Sequence, residues 1–221
     1  MKKEVFVSVS TDPIGEFQLI CEYAKFMQRH ADFLHCDVMD GTFVPKFSFD
    51  SNLVLNINQN SLIMLDVHLM CKEPAKIVDD YIDAGANIVT VHYEAFEDKE
   101  ELVRTLSNIK KRHALAGLAI NPSTPISEIK VFAHEVDLFL VMSVEPGESG
   151  QKFIPKALEK IKQLDEIRVQ NDFKYKIEVD GGINKDNAKS IVDAGADILV
   201  SGSYVYSSQD QIEAVESLKN I

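Results

Sequence analysis

Two short strings carry residue types suited to moving protons: His35-Cys-Asp37-Val-Met39-Asp40-Gly41 and Asp66-Val-His68-Leu-Met70. Each sets an imidazole and a carboxylate two residues apart inside an apolar run. Side chains alternate across a β-strand, so residues i and i+2 share one face. Either strand would present both groups in one direction, with a methionine two residues further on. A third string, Ile177-Glu-Val-Asp180-Gly181-Gly182, adds another strand-end carboxylate. The set His35, Asp37, His68 and Asp180 suits one divalent ion per chain, Zn²⁺ first, with Mn²⁺, Fe²⁺ or Co²⁺ as alternatives. A cation between two acid/base groups points to proton transfer at a carbon next to a carbonyl. Taken singly, each residue has a plainer explanation: a lone strand-end histidine is usually structural, and Asp-Gly is ordinary turn chemistry. It is the combination that points to a metal. Asp66, two residues deeper than His68, reads as a partner that orients an imidazole. Glu178 reads as a member of a core ion pair. His30, His92, His113 and His134 receive no role.

Those side chains need a frame that gathers strand ends. Near-continuous runs rich in Val, Ile and Leu occupy 4–10, 32–37, 62–68, 87–92, 115–120, 136–142, 175–180 and 197–201. That is the pattern of strands covered on both faces. Helical stretches separate them: one opened by Asp12-Pro13, one from Glu73-Pro74 to Ala84-Gly85, and others over 97–112, 156–169, 185–194 and 208–219. Eight strands, each followed by a helix or loop, imply parallel strands joined by crossovers. Asp83-Ala-Gly-Ala-Asn87-Ile-Val-Thr90 and Asp193-Ala-Gly-Ala-Asp197-Ile-Leu-Val200 nearly repeat, at the helix–glycine junctions before strands four and eight. Two four-unit halves closing into a (β/α)₈ TIM barrel fit that spacing. Convergence of ordinary helix–strand junctions is the plainer account of the echo. A rival open, doubly wound sheet would carry a glycine-rich turn after its first strand, and none is there. One barrel domain over 1–221 is expected. Active sites in such barrels form at the C-terminal strand ends, where His35, Asp37, His68 and Asp180 all fall.

The 221 residues carry a formal charge of −12 with 45% hydrophobic content. The length suits one large α/β domain, and the charge argues against nucleic acid or an anionic membrane as partner. Cys21, Cys36 and Cys71, without CxxC spacing, read as free thiols of a reducing cytosol. No secretory signal is visible at the N-terminus, and no apolar run approaches the ~20 residues of a membrane span. A cytoplasmic protein is expected. Phosphate binding is compatible with the acidic charge, since a few backbone N–H groups suffice to hold it. Glycines suited to that role lie in Glu145-Pro-Gly147-Glu148-Ser149-Gly150, Gly181-Gly182 and Gly202-Ser203, in the later units where barrels often build phosphate sites. Methionine is mostly core filler, but Met39, Met70 and Met142 around one mouth would make an apolar, water-poor lining.

These strings match a known pattern. His-x-Asp-Val-Met-Asp-Gly-x-Phe-Val-Pro (35–45), Leu-Asp-Val-His-Leu-Met (65–70), Asn-Pro-x-Thr-Pro (121–125) and Val-Met-Ser-Val-x-Pro-Gly (141–147) closely resemble the ribulose-phosphate 3-epimerases. So do Gly-Gln-Lys-Phe-Ile-Pro (150–155), Ile-Glu-Val-Asp-Gly-Gly (177–182) and Ser-Gly-Ser (201–203), so that the likeness runs from the first strand to the last. The resemblance implies a (β/α)₈ barrel with a divalent metal, acting on a phosphorylated ketose, and a homo-oligomer. By carry-over His35, Asp37, His68 and Asp180 are the metal ligands, Asp37 the proton acceptor and Asp180 the donor. The expected substrate contacts are Ser8 (Ser10 being the alternative), His68, Gly147, Glu148, Ser149, Gly150, Gly181, Gly182, Gly202 and Ser203.

Three departures stand out. The opening Val7-Ser8-Val9-Ser10-Thr11-Asp12 lacks the family's proline, and Ser48-Phe49-Asp50-Ser51 replaces Thr-Phe-Gly-Pro. Gly147-Glu148-Ser149-Gly150 replaces Gly-Phe-Gly-Gly, exchanging an apolar lid residue for an acid near a dianion. His30-Ala-Asp-Phe-Leu-His35 and Asp172-Phe-Lys-Tyr-Lys-Ile177 also look like the allulose-6-phosphate 3-epimerases, which act on a longer sugar. The expected reaction converts D-ribulose 5-phosphate to D-xylulose 5-phosphate through a cis-enediolate, with one carboxylate on each face. Metal ligation and burial pull the two aspartates in opposite directions, which is expected to leave one protonated and one not. The alternatives are the allulose phosphate activity and a non-catalytic sugar-phosphate sensor. A barrel decarboxylase would need a strand-end lysine, which Asp66-Val-His68 does not offer.

Overall fold

The computed structural model describes residues 3–148 and 150–221. Eight parallel strands close into a barrel in chain order: β1 (Phe6–Ser10), β2 (Phe33–Met39), β3 (Met64–Met70), β4 (Ile88–His92), β5 (Leu115–Ile120), β6 (Leu138–Met142), β7 (Lys176–Asp180) and β8 (Ile198–Ser201). The expected (β/α)₈ architecture is found, with β2 and β3 running on to Met39 and Met70. Outward-facing residues such as Val7, Val9, Leu34, Val67 and Val89 join the main apolar core with the helices. Inside, the packing is lopsided. Leu138, Leu140 and Met142 of β6 cluster with Ala119, Val144 and Ile198, whereas β1–β4 and β7 bury Ser8, His35, Asp66, His68, Thr90, His92 and Glu178. Gly117 on β5 makes room for that polar half, since a Cβ there would lie 2.1 Å from Thr90 Oγ1.

A carboxylate or amide precedes every even-numbered strand and turns back onto the strand before it. It accepts the N–H of Val7 at Asp32 (2.8 Å), of Leu65 at Asn87 (2.7 Å), of Ala116 at Asp137 (3.0 Å) and of Ile177 at Asp197 (2.8 Å). In return the N–H of Asp32, Asn87, Asp137 and Asp197 donates to the carbonyl of Val7, Leu65, Ala116 and Ile177. The echo at 83–90 and 193–200 therefore belongs to a device that recurs every two units, finer than a half-barrel repeat. Each acid has a cation beside it: Lys219 at Asp32, Lys110 at Asp137, Arg168 and Lys3 at Asp197.

Helices Lys99–Lys111, Ala157–Asn171, Lys185–Asp193 and Gln211–Lys219 fill the expected intervals. Asp12-Pro13, however, does not open the first helix. Ile14 N–H closes a turn on the Thr11 carbonyl and Gly15 (φ +73°) breaks the run, so the helix spans Phe17–Met27. The Asp12 carboxylate is taken by Lys46 from the loop after β2. The segment from Glu73 divides into a 3₁₀ turn, Pro74–Lys76, and a helix, Val78–Asp83. A helix over Ser51–Asn60 is not evident from periodicity because weak helix formers, chiefly asparagine, interrupt it; Asp50 caps it on Asn52 N–H at 3.0 Å. No described helix is long and apolar enough to cross a membrane.

Candidate active site

Strands β2 and β3 pair so that Asp37 stands beside His68 and His35 beside Asp66. Because one string runs His-x-Asp and the other Asp-x-His, parallel register sets an imidazole next to a carboxylate in two successive layers. In the upper layer Asp37 Oδ1 lies 3.2 Å from His68 Nδ1 and 3.4 Å from His35 Nε2. Those two ring nitrogens are 3.4 Å apart. Asp180, ending β7, completes the group: one ligand atom from each of His35, Asp37, His68 and Asp180 lies within 4.8 Å of every other. Two imidazole nitrogens and two carboxylate oxygens converging at this range form a donor set that fits a borderline divalent cation.

The lower layer orients the upper. His35 Nδ1 is 2.6 Å from Asp66 Oδ2, which also accepts the Ser8 hydroxyl at 2.9 Å. The hydrogen on Nδ1 turns Nε2 toward the cluster. Burial opposes a charge on His35, yet Asp66 and Asp37 hold its pKa well above the ordinary imidazole value. Burial pushes His68 down to about 4, against the influence of neighbouring Asp37. Glu178, read as a core ion-pair member, stands at the outer limit of ion-pair range from His35. Its Oε1 stands 3.9 Å from His35 Nδ1, and burial next to Asp66 raises its carboxyl well above the usual range. No other donor among the described residues reaches either Glu178 oxygen or Asp66 Oδ1, so a neutral Glu178 can give its own hydrogen to the ionised Asp66.

The two upper carboxyls diverge. Burial alone would raise Asp37, but the charge of His35, with both imidazoles at hydrogen-bonding distance, outweighs it and holds Asp37 well below the carboxylate range. For Asp180 burial dominates, reinforced by Asp37, and pushes it up to about 7.

Above the cluster, at the C-terminal mouth of the barrel, opens a cavity. Asp37 and Asp180 line it, with Met39, Met70 and Met142 as its apolar wall. Gly147, Glu148 and Gly150 close one side, and Gly181, Gly182, Gly202 and Ser203 another; Ser149 lies outside the described residues. Gly182 (φ +65°) lets the neighbouring loop pack directly on its backbone, because a Cβ there would lie 2.5 Å from Phe153 N. Two expected substrate contacts sit elsewhere. Ser8 is fully buried one layer down against Asp66, and it is Ser10 that lines the cavity and donates to Asp37 Oδ2 at 2.9 Å. Alternation puts both serines on one face; the β1–β2 register, with Ser10 beside His35, decides their depth. His68 likewise lies beneath the cavity wall, unexposed, with its two nitrogens facing Asp37 and His92.

His92, given no role by sequence reading, ends β4 and is buried there. It stacks on His68 with ring centroids 4.9 Å apart, its Nε2 2.8 Å from His68 Nε2 and its Nδ1 3.1 Å from Glu94 Oε2. Although burial raises the Glu94 carboxyl, hydrogen bonds from His92, Thr124 and the Asn121 N–H hold it down to about 2. The signal that marks these residues is visible in the chain: His92-Tyr-Glu94 repeats the imidazole–carboxylate spacing of the other two strings.

Residues 8–206 match the model of the Ribulose-phosphate 3 epimerase family. The chain is 40% identical over 220 residues to the ribulose-phosphate 3-epimerase of Synechocystis sp., covering 100% of this chain and 95% of that protein. To the chloroplastic ribulose-5-phosphate-3-epimerase of Arabidopsis thaliana it is 43% identical over 219 residues, 99% of this chain and 77% of that one. A 3-keto-L-gulonate-6-phosphate decarboxylase from Vibrio cholerae shares the fold, with a TM-score of 0.74 at 13% identity, covering 99% of this chain and 97% of the other. At that identity the likeness is one of fold alone. By family match and by identity along its whole length, this chain belongs to the ribulose-phosphate 3-epimerase family, isomerases acting on carbohydrates.

Proposed function

We propose that the chain interconverts D-ribulose 5-phosphate and D-xylulose 5-phosphate by proton transfer at C3 between Asp37 and Asp180. The observation that carries this reading is a pair of carboxyls, from β2 and β7, that line one cavity and have opposed proton affinities. An ionised Asp37 can take a proton and leave its electron pair on C3, and the Asp180 carboxyl, which burial pushes toward its neutral form, can return one. With the sugar's enediolate lying flat between them, hydrogen leaves one face and arrives on the other. Ser10 holds Asp37 Oδ2, which leaves Oδ1 as the oxygen facing the imidazoles. The three methionines keep water from the carbanionic carbon. His35, Asp37, His68 and Asp180 would hold one divalent cation, Zn²⁺ first, which supplies positive charge for the oxyanion that develops. The phosphate is assigned to the backbone of Gly182, Gly202 and Ser203 and to the 147–150 loop. A cytoplasmic homo-oligomer belongs to the same proposal, resting on the family resemblance and the free thiols.

In D₂O, ribulose 5-phosphate should gain deuterium at C3 as xylulose 5-phosphate forms, followed by proton NMR, and allulose 6-phosphate should turn over more slowly. Faster turnover of the six-carbon sugar would move the assignment to it. Binding of both sugars with no exchange of either would make the chain a sensor.

A further inference from the structure

We propose that Glu94, acting through His92, decides which nitrogen of His68 carries hydrogen and therefore whether His68 can hold a cation; this rests on the cation reading above. His68 turns Nδ1 toward Asp37 and His35 and Nε2 toward His92. For Nδ1 to offer its lone pair, the ring hydrogen must sit on Nε2. Its partner there is His92 Nε2 at 2.8 Å, which must accept and so carries its own hydrogen on Nδ1. That hydrogen meets Glu94 Oε2 at 3.1 Å. Reversing the chain would put hydrogen on His68 Nδ1 and bring a bare His92 Nδ1 against Glu94, two acceptors face to face. Both rings are buried, so solvent does not relieve that conflict.

Glu94 is itself held as an acceptor. Its Oε1 takes the Asn121 N–H at 2.8 Å and the Thr124 hydroxyl. Lys160 braces the loop by donating to the carbonyls of Asn121 (2.8 Å) and Thr124 (2.6 Å). The Asn-Pro-x-Thr-Pro string thereby gains a purpose. It fixes the far end of a relay that starts at a metal ligand. Glu94 and His92 are positioning residues.

The discriminating variant is Glu94→Gln. Two donors pin Oε1, so the amide oxygen takes that place and the amide nitrogen faces His92 Nδ1. Every bond in the relay then reverses. Affinity for Co²⁺, measured against a competing chelator, should fall on the order of 10–100-fold, the usual cost of losing an outer partner of a metal-bound histidine. In a His92→Phe background the relay is already cut, and adding Glu94→Gln should change Co²⁺ affinity less than about twofold. Nitrogen-15 NMR of the zinc-loaded wild-type protein, labelled at histidine, should find the His92 hydrogen on Nδ1, a readout that needs no variant to fold. Wild-type Co²⁺ affinity in Glu94→Gln, an equal loss in both backgrounds, or a His92 hydrogen on Nε2 overturns the relay while leaving the cation reading intact. A wild-type protein that takes up no Co²⁺ overturns the cation reading, and the relay with it.

Discussion

Asp180→Asn should lose epimerisation by about 10³-fold or more, yet still exchange the C3 hydrogen of one of the two epimers with solvent. With two bases on opposite faces, removing one leaves the other able to take and return hydrogen on its own side. Asp37→Asn should show the mirror pattern, exchanging the other epimer. Deuterium incorporation into each sugar separately, read by NMR with the fold checked by circular dichroism, tests both at once. Exchange of both epimers by either variant would remove that residue from the pair. Asp180→Asn has a second expected result in chelator-treated protein. The folded carboxyl titrates at about 7 against an ordinary value of 3.8, so the folded state binds a proton more tightly than the unfolded one. Its contribution is fully present below pH 3.8 and is lost as pH rises to about 7. The asparagine variant has no such loss, so it should gain on the wild type by on the order of 3 kcal/mol between pH 5 and pH 8. Urea unfolding at pH 5 and pH 8 measures the difference, part of which is already present at pH 5 and which should be larger at pH 8.

Asp66→Ala should be the most damaging substitution for stability in the barrel interior. Asp66 is fully buried, accepts from Ser8 and lies 2.6 Å from His35 Nδ1. Its removal strands a buried imidazole whose charge it stabilises, together with a hydroxyl. Breaking a buried pair by deleting one member costs about 3–5 kcal/mol, which in a chain of this size lowers Tm on the order of 10 °C. Asp66→Asn keeps the volume and one acceptor and should cost less than half as much. Thermal unfolding of the two variants without metal ranks them; an alanine variant within 1 kcal/mol of wild type would mean that His35 is neutral and needs no counter-charge.

The parts of the site legible in the chain are those that depend on period alone. Alternation puts His35 with Asp37 and Asp66 with His68 on shared faces, and strand ends in a barrel meet at one mouth. Depth is a different matter. Ser8 and Ser10 satisfy the same period, and only pairing with β2 tells which reaches the cavity. His92 carries the right spacing to Glu94, but its importance comes from Asn121 and Thr124, contributed by a loop one strand further on. Asp12-Pro13 has the local chemistry of a helix start; Lys46, 34 residues away, claims the carboxylate. The two-unit repeat is half hidden because only the copies at Asn87 and Asp197 share their surroundings, while those at Asp32 and Asp137 keep little but the acid.

That repeat divides the barrel into four strand pairs, each joined across 25, 22, 21 or 20 residues of chain. The stretches 61–63, 113–114 and 172–174 lie between pairs, and cutting there separates no clamp from its partner. A circularly permuted chain with new ends in one of these stretches keeps every clamp a short-range closure, with little added loop entropy. The catalytic mouth, at the other end of every strand, would be untouched by such re-threading, so the fold can be rearranged from below without altering its chemistry above.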